Sequence, residues 1–293
     1  MRSAQRFTPN KALVRRLQRE TIEECLQRSL GSLRYFGLPS TALSDVIEWQ
    51  DLFKHFVAVE RGESGTEWEM QHDLELMAFR TELFNRVSLL RGEIDAIIHK
   101  KRDNFRNRLR FPFDVISLDY SGGLFYKDRQ GTFTRLRAIE ETIQAQSKTK
   151  TNFVLFISCN LDALDQGEIR KTLENIRTEL ARYGFAGDTC LSAYLKSQRE
   201  ECRLKLYLPF YVNTQASKYH YNCETKPVAL YEGNLKTRMM AFRFFLSFDP
   251  RTASLRPPQE RFSQFFNKPM LEIVDGQVIP TMLDMPKLIS SNK

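Results

Sequence analysis

Apolar residues recur along the chain with two alternating periods. Leu13, Leu17, Ile22, Leu26 and Leu30 fall at helical spacing with Arg15, Arg16, Arg19 and Glu20 between them, which predicts an amphipathic helix docking one stripe and ended by Gly31. Leu33 to Leu38 reads as a short strand. Pro39-Ser40-Thr41 follows as a turn, in which Ser40 or Thr41 caps a helix through Ala42, Val46, Ile47 and Trp49. The run Phe56-Val57-Ala58-Val59 closes on Glu60, and Met70, Leu74, Met77, Thr81 and Phe84 share one helical face between Trp68 and Phe84. A third strand is expected over Arg86 to Arg91, then a helix carrying Ile94, Ile97, Ile98 and Phe105 that runs on into a basic segment. Phe113 to Asp119 reads as a fourth strand, Thr134 to Gln146 as a helix and Phe153 to Ile157 as a fifth strand. Ile169, Leu173, Ile176, Leu180 and Tyr183 make a further amphipathic helix.

Strands this uniformly apolar are covered on both faces, and their regular alternation with helices predicts a mostly parallel, doubly wound α/β sheet with right-handed crossovers. After Tyr183 the pattern changes. Arg203 to Val212 and Arg238 to Phe248 read as an antiparallel strand pair, joined by a polar insert around Tyr219-His220-Tyr221-Asn222, with the alternation of Leu204, Leu206 and Leu208 as the strand signal. Beyond Asp249-Pro250, the Asp275-Gly276 step inside Glu272 to Ile279 marks a tight hairpin in a peripheral arm. The organisation expected is an N-terminal helical extension over 1–31, a Rossmann-like domain over 32–248 and a C-terminal arm over 249–293.

Composition narrows the class. The 293 residues can bury a substantial core, and 22 Phe favour thick apolar layers. Lys plus Arg number 44 against 36 Asp plus Glu, a net +8 that attracts polyanions, nucleic acid being the commonest. Five Cys without a C-x-x-C pair suggest neither a disulfide framework nor a zinc knuckle and fit a reducing compartment. No apolar run approaches the roughly 20 residues that span a bilayer, and the first residues lack a secretory leader, so a soluble cytoplasmic protein with no membrane partner is expected. There is no G-x-x-x-x-G-K-[ST] loop and no H-E-x-x-H, and His55, His72, His99 and His220 are scattered, so no metal site is expected.

Five βα units followed by an antiparallel pair, with acids at strand ends, resemble the class I S-adenosylmethionine-dependent methyltransferases over roughly Leu33 to Phe248. In that family a glycine-rich turn after the first strand approaches the methionine part of the cofactor. The matching stretch is Phe36-Gly37-Leu38-Pro39-Ser40-Thr41. Gly37 coincides with a glycine of the G-x-G-x-G pattern, Pro39 and Thr41 stand where the later glycines fall, and Arg34 or Tyr35 replaces the acid often found on this strand. The resemblance implies that Tyr35, Gly37 and Pro39 lie against the cofactor. It further implies that Glu60 accepts from the ribose hydroxyls, and that Gly92 with Glu93 or Asp95 contacts the adenine edge.

The fourth strand delivers Asp119-Tyr120-Ser121-Gly122-Gly123 to the place where the family faces the methyl-accepting atom. The resemblance implies an acceptor role for Asp119 and a stacking role for Tyr120, although the Pro-Pro of the amino-methylating enzymes is absent. Cys159 lacks the signatures of a cytosine-C5 nucleophile and reads as core. Lys100, Lys101, Arg102, Arg106, Arg108 and Arg110 crowd the segment before the fourth strand and suit a phosphate backbone. A second basic and aromatic set, Lys218, Tyr219, His220, Tyr221 and Lys226, is expected near the substrate side. Two functions stay open: a methyltransferase acting on nucleic acid, and a non-catalytic Rossmann-like subunit that engages a protein partner through its N-terminal helix or C-terminal arm.

Overall fold

The computed structural model describes residues 8–27, 31–39, 44–60, 84–120, 122–128, 131–161, 200–233, 236–251 and 269–281, with a few single helical positions between 167 and 178. In chain order the elements are α1 (Pro9–Leu26), β1 (Leu33–Gly37), α2 (Ser44–Glu48), β2 (Phe53–Glu60), β3 (Val87–Arg91), α3 (Ile94–Lys100), β4 (Val115–Tyr120), α4 (Thr134–Ser147) and β5 (Phe153–Asn160). They continue with α5 (Glu200–Lys218), β6 (Tyr221–Thr225), β7 (Val228–Glu232), β8 (Arg238–Phe248), β9 (Met270–Val274) and β10 (Gln277–Thr281). The helix expected between Trp68 and Phe84 lies outside the described residues, as do Ile169, Leu173, Ile176, Leu180 and Tyr183 of the later one.

One ten-stranded sheet runs in the order β10-β9-β7-β8-β5-β4-β1-β2-β3, with β6 also on β8. Strands β1 to β5 are mutually parallel, and β8 is antiparallel to β5. This is the doubly wound Rossmann-like order, with the switch point at β1 between β2 and β4.

The period of two along each central strand sends alternate side chains to two helical layers. Ile116, Leu118 and Tyr120 of β4, Leu155, Ile157 and Cys159 of β5, and Phe242 and Phe244 of β8 face α3, α4 and α5. Val115, Val154 and Phe156 face the other way, into a cluster with Tyr35, Trp49, Phe53, Ile22 and Leu26. Tyr35 is the hub of this cluster, its ring 6.0 Å from Trp49 and 5.7 Å from both Phe53 and Phe56. Leu13 and Val14 extend the layer over Ala229, Tyr231 and Ala241. The stripe of α1 is thus buried on the chain's own sheet. Thr8 caps the helix, its hydroxyl accepting from Lys11 N–H at 3.3 Å, and Pro9 opens the first turn.

Two expectations are corrected. Arg203 to Val212 is not a strand but part of α5, and the strand opposite β8 is instead β6 with β7, inside the stretch expected to be a polar insert. Helix α5 is buried on consecutive residues from Glu201 to Pro209, charged Arg203 and Lys205 included, so polar residues do not gather on one helical face and their alternation with Leu204, Leu206 and Leu208 mimics a strand. Strand β6 opposes Phe244 to Phe248 and β7 opposes Arg238 to Ala241, with Lys226-Pro227 bulging between them. A proline is tolerated there because the ladder does not call on its missing N–H.

Second, the basic segment does not continue α3. Lys101 turns left-handed (φ 55°) and ends the helix. The hairpin at Asp275-Gly276 forms as its sequence predicts, both residues being left-handed (φ 48° and 74°). Its strand β9 pairs in parallel with β7 and so lengthens the central sheet.

Candidate cofactor and acceptor site

The carboxyl ends of β3, β2, β1, β4 and β5 share one rim. Glu60 pairs in register with Arg91, and Gly37 pairs with Ala58 on one side and Ser117 on the other. Val59 and Glu60 therefore project beyond β1 on one side, and Leu118, Asp119 and Tyr120 on the other. The shorter β1 thus marks the switch point between its two longer neighbours. Leu38 leaves β1 with its N–H donating to the Ser117 carbonyl at 3.3 Å, and the Gly92 N–H donates to the Glu60 carbonyl at 2.8 Å.

Gly37 is required by packing. A Cβ there would overlap the Ser117 carbonyl oxygen and lie 2.7 Å from the Tyr35 hydroxyl, so the space its missing side chain leaves is filled by protein. Tyr35 is fully buried and donates to Asp45 Oδ2 at 3.2 Å. Pro39 is buried, and Ser40 and Thr41 lie outside the described residues.

Asp119 faces α1. It lines a cavity of about 30 Å³ with Lys11, Val14, Arg15, Gln18, Asp45, Ser117, Ser158 and Tyr231, room for one or two waters. Burial pushes its carboxyl above the usual range; Lys11 and Arg15 pull it down and Asp45 pushes it further up. Asp45 is held by the Arg15 Nε at 2.7 Å, in a pair whose side chains are only 9% and 11% exposed. Two acids and two bases balance in this cavity, both bases contributed by the N-terminal helix.

Tyr120 faces the opposite layer, as alternation along β4 requires. Its hydroxyl donates to Asp95 Oδ1 at 2.9 Å, Thr134 Oγ1 reaches Asp95 Oδ2 at 3.4 Å, and the Arg135 guanidinium lies 4.7 Å over the Tyr120 ring. Burial raises the Asp95 pKa, and the hydrogen bond from Tyr120 and the charge of Arg135 oppose that. Glu93 is exposed at the start of α3 without a side-chain cap bond. The fold thus brings Asp95 and Tyr120 together and sends Asp119 to the far side of the sheet.

The basic segment forms a tight loop around Asp103. Asp103 Oδ1 accepts from the Phe105 and Asn107 N–H groups at 2.9 and 2.8 Å, and Oδ2 from Asn107 Nδ2 at 2.9 Å and the Arg91 N–H at 3.1 Å. The bond to Arg91 seats the loop on the rim, where the Asn104 side chain packs on Gly92. Lys100, Arg102, Arg106, Arg108 and Arg110 are exposed. Lys101 turns inward, its Nζ 5.1 Å from the Phe111 ring, with burial lowering its pKa.

The second basic set is not at the rim. Tyr221 is buried with its hydroxyl on the Thr151 carbonyl beside the start of β5, Tyr219 and Lys218 bond Glu140, and Lys226 pairs with Glu24 and Glu224. Lys218, Tyr219 and Tyr221 lie at the end of the sheet opposite the candidate site, because Tyr221 opens β6 against Phe248 and the last residues of β8 run beside the first of β5, while Lys226 stands midway, opposite Arg243. Cys159 is core, its thiol pushed up to about 12 by burial. No group of His, Cys, Asp and Glu able to hold a metal occurs among the described residues.

Sequence reading missed Arg15, Asp45, Ser158, Tyr231, Arg135 and Asp103. Arg15 was legible only as a polar position of an amphipathic helix. Asp103 carried the one usable signal, an Asp two residues before Phe105 and four before Asn107, a spacing at which its carboxylate meets the N–H groups of a turn.

No protein-family model matches the sequence, and no curated protein sequence matches it. Among solved structures the chain is similar to an rRNA methylase from Streptococcus thermophilus, at 11% identity over 80% of this chain and 96% of that one, TM-score 0.41. It is similar to the magnesium protoporphyrin IX methyltransferase of Synechocystis PCC 6803 with bound SAH, at 9% identity over 82% and 86%, TM-score 0.42. A tRNA methyltransferase of B. subtilis gives 10% identity over 85% and 74%, TM-score 0.40. Among the described residues no helix is long and apolar enough to cross a membrane.

Proposed function

We propose that the chain is an S-adenosylmethionine-dependent methyltransferase-like protein that acts on nucleic acid, its cofactor lying across the carboxyl ends of β3, β2, β1 and β4. The observation that carries this reading is that β1 stops short of β2 and β4 at the switch point, where doubly wound sheets take ligands, with Glu60 closing one neighbouring strand and Asp119 near the end of the other. When bound, the cofactor supplies a methyl group on a sulfonium, which is already a good leaving group.

The residues fit the cofactor at the ribose end. Glu60 offers two acceptor oxygens to a pair of hydroxyls. Asp95 keeps acceptor capacity beyond its bonds to Tyr120 and Thr134, enough for the amino edge of a base. Gly37 gives no room itself, the space of its missing side chain being filled by Ser117 and Tyr35. Asp119 opens on the α1 face and not beside Asp95, so an amine or hydroxyl for which its buried carboxyl is the hydrogen-bond or proton acceptor enters from that face. Most of the rate then comes from alignment. The exposed arginines of the Asp103 loop stand on the same rim for a phosphate backbone.

Calorimetric titration with S-adenosylmethionine tests the reading. Heat of binding is expected, and Glu60→Ala should weaken affinity by roughly tenfold or more, the worth of a hydrogen bond to a charged group. No heat and no thermal shift at millimolar ligand overturns it. A second reading, a non-catalytic subunit, is favoured by the filled space at Gly37 and the engagement of Asp95; it expects that silent titration.

A further inference from the structure

Of the large apolar side chains that the described residues leave exposed, two are aromatic: Phe105, 60% exposed, and Tyr126, 61% exposed. Both flank the β3–α3 corner. Phe105 belongs to the loop that Asp103 ties to the Arg91 N–H and that packs Asn104 on Gly92. Tyr126 follows β4, and the Arg135 guanidinium lies between it and Tyr120, 5.6 Å from one ring and 4.7 Å from the other, with an N–H donated to the Gly123 carbonyl. Through Tyr120 and Arg135 that stack reaches Asp95, three residues beyond Gly92.

Each ring carries a cation. Arg91 lies 5.0 Å from the Phe105 ring centroid, and Arg135 5.6 Å from that of Tyr126. Exposed Lys100, Arg102, Arg106, Arg108 and Arg110 lie within five residues of Phe105 along the chain, and Lys127 follows Tyr126 directly. A polar surface gains nothing by holding two large rings out in water. The complement of a flat ring set among cations is a flat ring that carries anions, which is a nucleobase on its phosphate backbone. Bases in a duplex hide their faces in the stack, so the rings suit unpaired ones.

We infer that Phe105 and Tyr126 form a two-sided stacking platform for the unpaired bases of single-stranded nucleic acid, laid across the rim with its phosphates on the Asp103 loop. This deepens the proposed function and rests on its nucleic-acid reading, but it does not need the cofactor. The loop is rigid enough to present a ring, because four N–H donors on one carboxylate fix its backbone. Arg106 is held left-handed (φ 67°), which turns Arg106 and Phe105 outward together.

Fluorescence anisotropy with labelled 20-nucleotide oligo-dT, oligo-U and a 20-base-pair duplex decides the matter. At least one single strand should bind more tightly than the duplex at 0.15 M salt. Phe105→Ala and Tyr126→Ala should each weaken single-strand binding roughly tenfold, with unchanged melting temperature and unchanged salt dependence, since stacking and not charge is lost. Phe105→Trp should restore binding. Arg106→Ala with Arg108→Ala should instead flatten the salt dependence. Equal binding of duplex and single strand, or full affinity in both aromatic-to-alanine variants, overturns the platform. Its failure with an intact cofactor titration leaves the methyltransferase reading standing, and a silent titration with intact anisotropy removes that reading alone.

Discussion

The Tyr120 hydroxyl donates to Asp95 Oδ1 at 2.9 Å, tying the last residue of β4 to the first turn of α3. Two positions that family resemblance assigns to separate roles, adenine contact and acceptor stacking, therefore satisfy one another. Asp95→Ala leaves a buried hydroxyl unpaired and removes the counter-charge facing Arg135, and is expected to cost about 2–3 kcal/mol. Tyr120→Phe removes one neutral donor from a carboxylate that keeps Thr134, and should cost about 1 kcal/mol. Urea denaturation of both variants measures the order, and the reverse order would mean that Asp95 is not the hub.

Asp119→Asn should stabilise the fold at neutral pH while weakening any acceptor chemistry. Burial raises the folded-state pKa of this carboxyl above its unfolded value, so the native state prefers the proton. Its contribution is most favourable below the unfolded value and is lost as pH rises through the folded one. Asparagine carries no such penalty. Denaturation midpoints from pH 4 to 8 should show the Asn variant gaining on the unaltered protein as pH rises; a constant difference would show that the group does not titrate in that window.

Much of the fold was legible because its strands are short, doubly covered and separated by turn residues. Leu33 to Leu38, Phe56 to Glu60 and Phe113 to Asp119 fell within a few residues of the strands observed. Helix α5 was illegible because burial on all sides erases the period of 3.6. The rim was legible too, since a residue closing a parallel strand must stand there. Which face Asp119 and Tyr120 take follows from the pleat alone, but what meets them does not. Arg15 lies 30 residues from Asp45 in sequence, and no local pattern joins them.

That Arg15–Asp45 pair carries α1 onto α2, and it is nearly dry. Removing one partner of a buried pair strands the other, so Arg15→Ala is expected to cost about 3–5 kcal/mol. Asp45 would then face the Tyr35 hydroxyl without its bonded guanidinium. Arg15→Met combined with Asp45→Leu should cost much less than the sum of the single changes. A double-mutant cycle in guanidinium measures the coupling, and additive losses would show that the contact contributes nothing.

Gly37→Ala separates packing from ligand approach. The added methyl would overlap the Ser117 carbonyl, which cannot retreat without disturbing the β1–β4 pairing. Overpacking of this kind costs about 1–3 kcal/mol. The loss should be the same with and without S-adenosylmethionine, read as a downward shift of melting temperature. A variant as stable as the original, but with weakened ligand binding, would return Gly37 to the cofactor.

Asp103 is a positioning residue whose removal should be felt at a distance. Burial alone would raise its pKa, but hydrogen bonds from the Asn107 side chain and from the N–H groups of Arg91, Asn107 and Phe105 hold it below the usual carboxylate range. Its contribution to stability is therefore present above the unfolded value and is lost as pH falls through the folded one. Asp103→Ala leaves the loop N–H groups of Phe105 and Asn107, and that of Arg91 at the end of β3, without this acceptor, so trypsin should cut after Arg102, Arg106 or Arg108 many times faster than in the unaltered protein at neutral pH. Single-strand affinity should fall with it, although no residue that touches nucleic acid has been altered. Asp103→Asn, which keeps one acceptor oxygen, should recover part of both properties. Fast cleavage without loss of affinity would show that the loop binds by charge alone, and that the ring of Phe105 needs no fixed backbone beneath it.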